Sequence, residues 1–398
     1  MTITAPLAYL SVERHIGLIN VLGQRRSLTE LPYDMLLRGR WDIGPRPPGT
    51  YSWPTWSPTG RHIAAFGLPP APGLPSRVVA LDIDGVHQIE VLQLHHRNPI
   101  YPFWGPDGEQ LALLTQDGDA LHLSATHLEL GGFETPLATG SPLFFTWAGR
   151  DQVAAFVGDS KHKGGSKLAL LGTDGTAPIV FLPDHPASFC APVWLQDRVF
   201  YVAHGRAGLS LVSAQAGDTR SRHIEAVDGL VAMVGSPDGT TLARAIAPGG
   251  DGTPYRELAL LDVVSGELQP LTTEPCLAFF WLPDGSGLMC VRVDTQRNLL
   301  EWVRVSLDGS EDLVAELYPT RDLGFYLRFF EQYCQSHAII DPASQTLILA
   351  GSLAGYSEPH SSPHLWAVPV SGVGRARDLG EGLFGVFGPS PKLLTDRR

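Results

Sequence analysis

Apolar and polar positions fall along this chain in short bursts, and the bursts repeat. An apolar run of strand length ends in an aromatic residue, a tight turn of Pro, Asp and Gly type follows, and a second apolar run returns. The unit reads TWSPTGRHIAAFG from Thr55, FWGPDGEQLALLT from Phe103 and TWAGRDQVAAFVG from Thr146. It recurs as VWLQDRVFYVAHG from Val193, VGSPDGTTLARAI from Val234 and FWLPDGSGLMCVR from Phe280. Weaker copies are IIDPASQTLILAG from Ile339 and VFGPSPKLL from Val386. The turn explains itself: Pro presets φ, Asp bonds back to the turn backbone, and Gly takes the positive φ. A third strand (SRVVALDIDG, RELALLDVVSGE) and a more polar fourth (QIEVLQL, EDLVAELY) follow each unit. Four antiparallel strands with the aromatic on the innermost one make a propeller blade.

The anchors are Trp56, Trp104, Trp147, Trp194, Gly235, Trp281, Ile340 and Phe387, mostly 41 to 48 residues apart, which is blade-sized. They predict an all-β chain forming one closed β-propeller domain over residues 1–398, with eight four-stranded blades, or seven if one weak copy is an excursion. The chain stops within one strand of Phe387. The N-terminal strands of residues 7–31 (LAYLSVE, IGLINVL, RSLTEL) supply the missing ones by pairing with the C-terminal strand, which removes exposed edges.

The gap from Trp281 to Ile340 is longer, 59 residues, and predicts an insertion at about 318–335. There Leu323, Tyr326, Leu327, Phe330 and Cys334 share one helical face, and Asp322 is placed to cap the start. Two placements are open: an aromatic lid over the channel mouth, or a helix packed on the rim.

The pattern W-[SG]-P-x-G-x-x-[LI]-A resembles the PD40 (WD40-like) repeat of TolB and of the propellers in tricorn and prolyl-oligopeptidase-type peptidases. The resemblance covers nearly the whole chain and implies a fold more than a function. The GxSxG nucleophile elbow of those peptidases is absent from the sequence, as is the GH…WD signature of true WD40 repeats.

Composition narrows the partners. A net charge of −12 with no basic stripe argues against nucleic acid. No run approaches the roughly 20 apolar residues of a membrane helix, and no signal-peptide pattern opens the chain. The four cysteines (Cys190, Cys276, Cys290, Cys334) lack metal-site spacing. These features predict a cytoplasmic protein with free thiols and no cofactor.

Chemistry is expected on the face that collects the inter-blade loops and the loops joining strands two and three of each blade. Those loops carry His95, His96, Arg97, His185, Cys190, His204, Arg206, Tyr255, Arg256, Asp294, Arg297, Tyr356, Glu358, His360 and His364, with Tyr326 in the insertion. Arg38, Arg40, Trp41, Asp42, Lys161, His162 and Lys163 belong to the same set. The ligand-binding candidates among them are His96, Arg97, His185, His204, Arg206, Tyr255, Arg256, Arg297, Tyr326, Tyr356, His360 and His364. This cationic and aromatic mixture in an acidic protein suits a carboxylate or phosphate held by Arg and His forks. The expected function is binding of an anionic or polar small molecule, or a peptide or protein partner, at the channel mouth. The alternative is a stand-alone lyase, hydrolase or cyclase using His, Tyr and Arg there. Oligogalacturonate lyase, an enzyme of this repeat class, has a His-rich metal site on that face, and His96–Tyr101 (HRNPIY) resembles one of its segments. A divalent metal, with His185 and His204 converging, is the lesser reading. Asp82–Gly85 and Asp117–Asp119 read as turns rather than calcium loops.

Overall fold

The computed structural model describes residues 3–29, 49–69, 71–83, 88–128, 132–159, 165–187, 189, 191–205, 207–248, 254–343, 345–359 and 361–390. Nearly all of its regular structure is antiparallel strand. The first sheet from the amino end holds β1 (Leu7–Leu10), β2 (Ile16–Ile19) and β3 (Arg25–Ser27). The next holds β4 (Thr50–Trp56), β5 (His62–Leu68), β6 (Ser76–Asp82) and β7 (Gln88–Leu94). Then come β8 (Asn98–Trp104), β9 (Gln110–Asp117), β10 (Ala120–His127) and β11 (Glu134–Gly140). They are followed by β12 (Leu143–Trp147), β13 (Gln152–Val157), β14 (Lys167–Gly172) and β15 (Val180–Phe181). After these run β16 (Val193–Leu195), β17 (Arg198–Gly205), β18 (Gly208–Ala214) and β19 (Arg222–Val227). The series continues with β20 (Leu230–Gly235), β21 (Thr241–Ala247), β22 (Arg256–Asp262) and β23 (Leu268–Thr272).

A seven-stranded sheet follows, in the order β24 (Ala278–Trp281), β25 (Gly287–Asp294), β26 (Leu299–Ser306), β27 (Glu311–Pro319), β28 (Thr346–Leu353), β29 (His364–Pro369), β30 (Arg377–Glu381). Only three residue pairs, from Leu317↔Leu353 to Pro319↔Gly351, join its two halves. The last strand, β31 (Phe384–Phe387), pairs with β1, placing Leu7 opposite Phe387 and Leu10 opposite Phe384. The two ends of the chain thus share one sheet, as the N-terminal strand pattern predicts. Asp341 strengthens that seam: its carboxylate accepts from the Thr4 amide at 2.7 Å and the Ala5 amide at 3.2 Å.

The repeat turn is built as its residues dictate. Gly60, Gly108, Gly239 and Gly285 all have φ between 67° and 73°. Asp107 Oδ1 accepts from the Glu109 amide at 2.9 Å, and Asp284 Oδ1 from the Ser286 amide at 3.0 Å. Asp117 and Asp119 lie at the β9–β10 hairpin around Gly118 (φ 56°), a turn as expected.

The aromatic anchors tie neighbouring sheets together. The indole N–H of Trp104 donates to the Thr55 carbonyl (3.1 Å), that of Trp281 to Val234 (3.0 Å) and that of Trp56 to Val386 (3.1 Å). Each bond reaches from one inner strand to the inner strand before it, and the last reaches from β4 to β31. This geometry also explains the small residue after the anchor. A Cβ on Gly105 would lie 3.2 Å from the Trp147 ring, and one on Gly388 would lie 2.9 Å from the Trp56 ring. Gly235, one of two anchor positions that lack an aromatic, is filled from next door: a Cβ there would lie 2.7 Å from a Leu195 methyl.

Candidate functional site

The insertion forms two short helices, α1 (Arg321–Arg328) and α2 (Phe330–Tyr333). The Thr320 side chain caps α1 by accepting from the Leu323 amide at 3.1 Å. This corrects the expected cap: Asp322 lies in the first turn, where its carboxylate favours the positive end of the helix dipole and pairs with Arg14 at 3.1 Å. The apolar stripe of the helix is enclosed: Tyr326, Leu327 and Phe330 are almost wholly buried, with Tyr326 and Phe330 against aromatic rings of the inner strands.

The bonds of this plug show how deep it sits. Gln332 Nε2 donates to the Phe145 carbonyl at 2.7 Å, and its Oε1 accepts from the Phe145 amide at 3.0 Å, so the side chain completes β12 like a strand. Tyr333 Oη donates to the Ile100 carbonyl of β8 at 3.0 Å, and Tyr101 Oη donates to the Gln332 carbonyl at 2.9 Å. Thr55 Oγ1 of β4 donates to the Ser336 carbonyl at 3.0 Å. Glu331 Oε1 accepts from the Met233 amide of β20 at 3.2 Å. Phe330 packs edge-on against Phe279 at 5.1 Å and Phe280 at 5.8 Å, while Phe280 stacks on Tyr326. One segment therefore bonds to or packs on inner strands from five sheets.

Enclosure changes the acids and bases there. Burial pushes Glu331 up to about 8 against a lowering by the Met233 amide. Burial takes His337 down to about 3, so it is neutral at ordinary pH. Its Nδ1 lies 2.7 Å from Ser336 Oγ, and its Nε2 is buried with no partner among the described residues. Burial likewise raises the phenols of Tyr101, Tyr326 and Tyr333 well beyond their usual range. These groups are structural polar atoms of a packed core.

At the outer end the plug changes character. Phe325 and Phe329 are 41% and 37% exposed, with ring centroids 5.0 Å apart. Trp53 lies 5.3 Å from Phe325 and 4.6 Å from Tyr333. Trp53 has φ 51°, the left-handed region, at a register shift in β4 between Ser52 and Thr55. A bulky residue held there carries backbone strain, which clusters at functional positions. Arg321 and Arg328 are exposed, and their guanidinium groups make no ion pair with a described residue.

The candidates expected from the loops are distributed differently. Arg97 forks onto Glu134 at 2.6 and 2.5 Å. That bond raises Arg97 and, against burial, holds Glu134 below its usual range. Arg297 is taken up by Glu316 and Asp294, both at 2.5 Å, and those hydrogen bonds raise it. His364 Nδ1 lies 2.9 Å from the Asp378 carboxylate, and its ring stacks on Trp366. Tyr356 Oη accepts from the Ala376 amide at 3.0 Å. Tyr255 is partly buried against Phe330, and Tyr326 donates to the His337 carbonyl at 3.0 Å. His96 (φ 59°) and Arg256 are exposed. His185 and His204 are neighbours, since the His204 amide donates to the His185 carbonyl at 2.8 Å, and both side chains are exposed. Arg206 and His360 lie outside the described residues, as do Cys190, Asp84, Gly85, Arg38, Arg40, Trp41, Asp42, Arg46 and Lys161–Lys163. Among the described residues, no three His, Cys, Asp or Glu side chains form a metal-sized cluster.

The loop reading missed Trp53, Phe325, Phe329, Arg321 and Arg328. One signal was present: Phe325 and Phe329 are four apart and off the buried stripe of α1, so the helix has a second apolar line. Nothing in the sequence marks the backbone of Trp53.

No protein-family model and no curated protein matches the chain. Solved structures share its fold. A prolyl endopeptidase structure matches at 10% identity over 86% of this chain and 50% of its own length, with a TM-score of 0.54. A eukaryotic initiation factor matches at 12% identity over 97% and 98%, TM-score 0.53. An oligogalacturonate lyase in complex with manganese matches at 14% identity over 89% and 82%, TM-score 0.52. The chain spans half the length of the peptidase it matches. The fold is a β-propeller shared with these structures, as the repeat pattern predicts. Among the described residues no helix is long and apolar enough to cross a membrane.

Proposed function

We propose that this protein is a closed, eight-bladed binding propeller that takes an acidic peptide segment with aromatic or apolar anchors on the outer end of its plug. The observation that carries this reading is the exposed Phe325–Phe329 pair beside the strained Trp53, with Arg321 and Arg328 next to it. Aromatic anchors with Arg are the composition of interaction hot spots. Two cations with no ion pair among the described residues, on a protein of net charge −12, favour an acidic partner. Ring closure is supported by the β1–β31 pairing and the Trp56 bond to Val386. The count of eight is supported by the bridge of Ile340 to Leu347 of β28, which gives β28–β30 an inner partner of their own. The thiols of Cys276, Cys290 and Cys334 are free, which suits a reducing compartment.

Selection from a displayed random-peptide library tests the reading. Peptides should be enriched in Phe, Trp or Leu flanked by Asp or Glu. The double variant Phe325→Ala, Phe329→Ala should weaken them about tenfold or more with little change in melting, since both rings face solvent. Enriched peptides that bind the double variant equally well, or the absence of any enrichment, would overturn the proposal.

A further inference from the structure

Away from the plug, the seam between the two chain ends holds a separate cavity of about 290 Å³. It lies under the β1–β2 turn and is lined by Tyr9, Glu13, His15, Arg25 and Glu381 with neighbouring small residues. Its floor is shaped around two side chains. The Tyr9 ring lies across Gly17, where a Cβ would come within 2.3 Å of the ring. The Arg25 guanidinium stacks on Tyr9 at 4.2 Å from the centroid and fills the space beside Gly380, where a Cβ would fall 2.3 Å from a guanidinium nitrogen. Gly380 has φ 91°, so its backbone also disfavours a side chain.

Arg25 is fixed before any ligand arrives. Its Nε donates to Tyr9 Oη at 3.3 Å, and its two terminal nitrogens donate to the Leu379 and Glu381 carbonyls at 2.6 Å each. A guanidinium has five N–H donors, so two remain for another acceptor, as does the Tyr9 hydroxyl proton. Two carboxylates line the same cavity. Glu381 uses Oε1 to accept from Ser362 at 2.7 Å and keeps Oε2, and Glu13 makes no hydrogen bond or ion pair with a described residue.

We propose that this cavity binds a small zwitterion, a free α-amino acid, with its carboxylate on Arg25 and Tyr9 and its ammonium on Glu13 and Glu381. A simple anion would meet two carboxylates, and a simple cation would meet the Arg25 charge. Only a ligand carrying both signs complements both sides, and a preorganised donor set lowers the cost of binding it. The volume suits a ligand of amino-acid size. The site is independent of the plug surface, so either can fail alone.

The test is calorimetry of the full chain against the free L-amino acids, the N-acetyl and methyl-ester derivatives of the best binder, and glucose. At least one amino acid should bind, about tenfold or more tighter than its N-acetyl form (no ammonium) and its methyl ester (no carboxylate). Glu13→Gln, on an exposed turn, should weaken that amino acid about tenfold with melting unchanged. Three results would overturn the proposal: no amino acid binding below about 10 mM, derivatives or glucose binding as well as the parent, or Glu13→Gln leaving affinity unchanged.

Discussion

The wall of this propeller and its plug are held by opposite means. In the wall, apolar strands pack and three of the seams are closed by an interchangeable part: the indoles of Trp56, Trp104 and Trp281 make the same bond to the preceding inner strand. In the plug, every fastening differs. Gln332 completes β12, Tyr333 reaches β8, Glu331 reaches β20 and Tyr326 closes onto its own segment. The wall can be written as a repeat because its geometry recurs. The plug must be written once, residue by residue, because it meets a different strand on each side. Generic parts set the fold and unique parts set what the centre of the face presents.

That contrast can be broken most forcefully in the wall. Trp104→Ala removes a buried indole, its bond to Thr55 and the cover over neighbouring apolar residues. It should cost about 3–5 kcal/mol, as large-to-small core changes do. Denaturant melts check it; a neutral result would mean the anchor is no seam.

In the plug the corresponding loss is polar. Gln332→Leu keeps bulk but leaves the buried amide and carbonyl of Phe145 without their partner. Two unsatisfied backbone groups cost roughly 2–4 kcal/mol. Hydrogen exchange should show Phe145 and the plug opening before the outer sheets do. Uniform loss of protection across all sheets would mean that plug and wall are a single cooperative unit.

The two regions also differ in how far the sequence discloses them. The W-[SG]-P-x-G turn states its own φ requirement at Gly60 and Gly108, and the small residue before Pro is explained by the indole that covers it at Gly105. Pairing of the N-terminal strands with β31 follows from a strand deficit that can be counted. The helical stripe of Leu323, Tyr326, Leu327 and Phe330 was legible as a buried face, but a stripe does not say what it is buried against. Arg97 and Arg297 look like ligand forks in sequence because Glu134 and Glu316, their partners, are 37 and 19 residues away. The seam cavity depends on Tyr9 crossing Gly17 and on Arg25 reaching the carbonyls of Leu379 and Glu381 from the opposite end of the chain, which no local pattern encodes.

Glu331 sharpens the comparison most finely, because it makes the plug respond to alkaline pH. Burial raises its carboxyl to about 8, whereas an unfolded glutamate titrates near 4.5. The folded state therefore holds a proton that the unfolded state has released between those values. Its stabilising contribution is complete below about pH 4.5 and is lost as the pH climbs through about 8. Tyr255 and Cys334 face the same carboxyl; burial, with the Glu331 charge adding to it, raises both, so they stay neutral in that window. His337 runs the other way: its depressed value of about 3 means its contribution is present above about 6.5 and is lost on acidification below that. Glu331→Gln keeps an oxygen for the Met233 amide and removes the titration. Discounted for the solvent that reaches part of this residue, the gain of the variant over the native protein should grow by on the order of 1–3 kcal/mol between pH 5 and pH 8.5. Paired urea melts at those two pH values read it directly. A gap that stays constant would mean that the carboxyl is solvated and that the plug, like the wall, is indifferent to pH there.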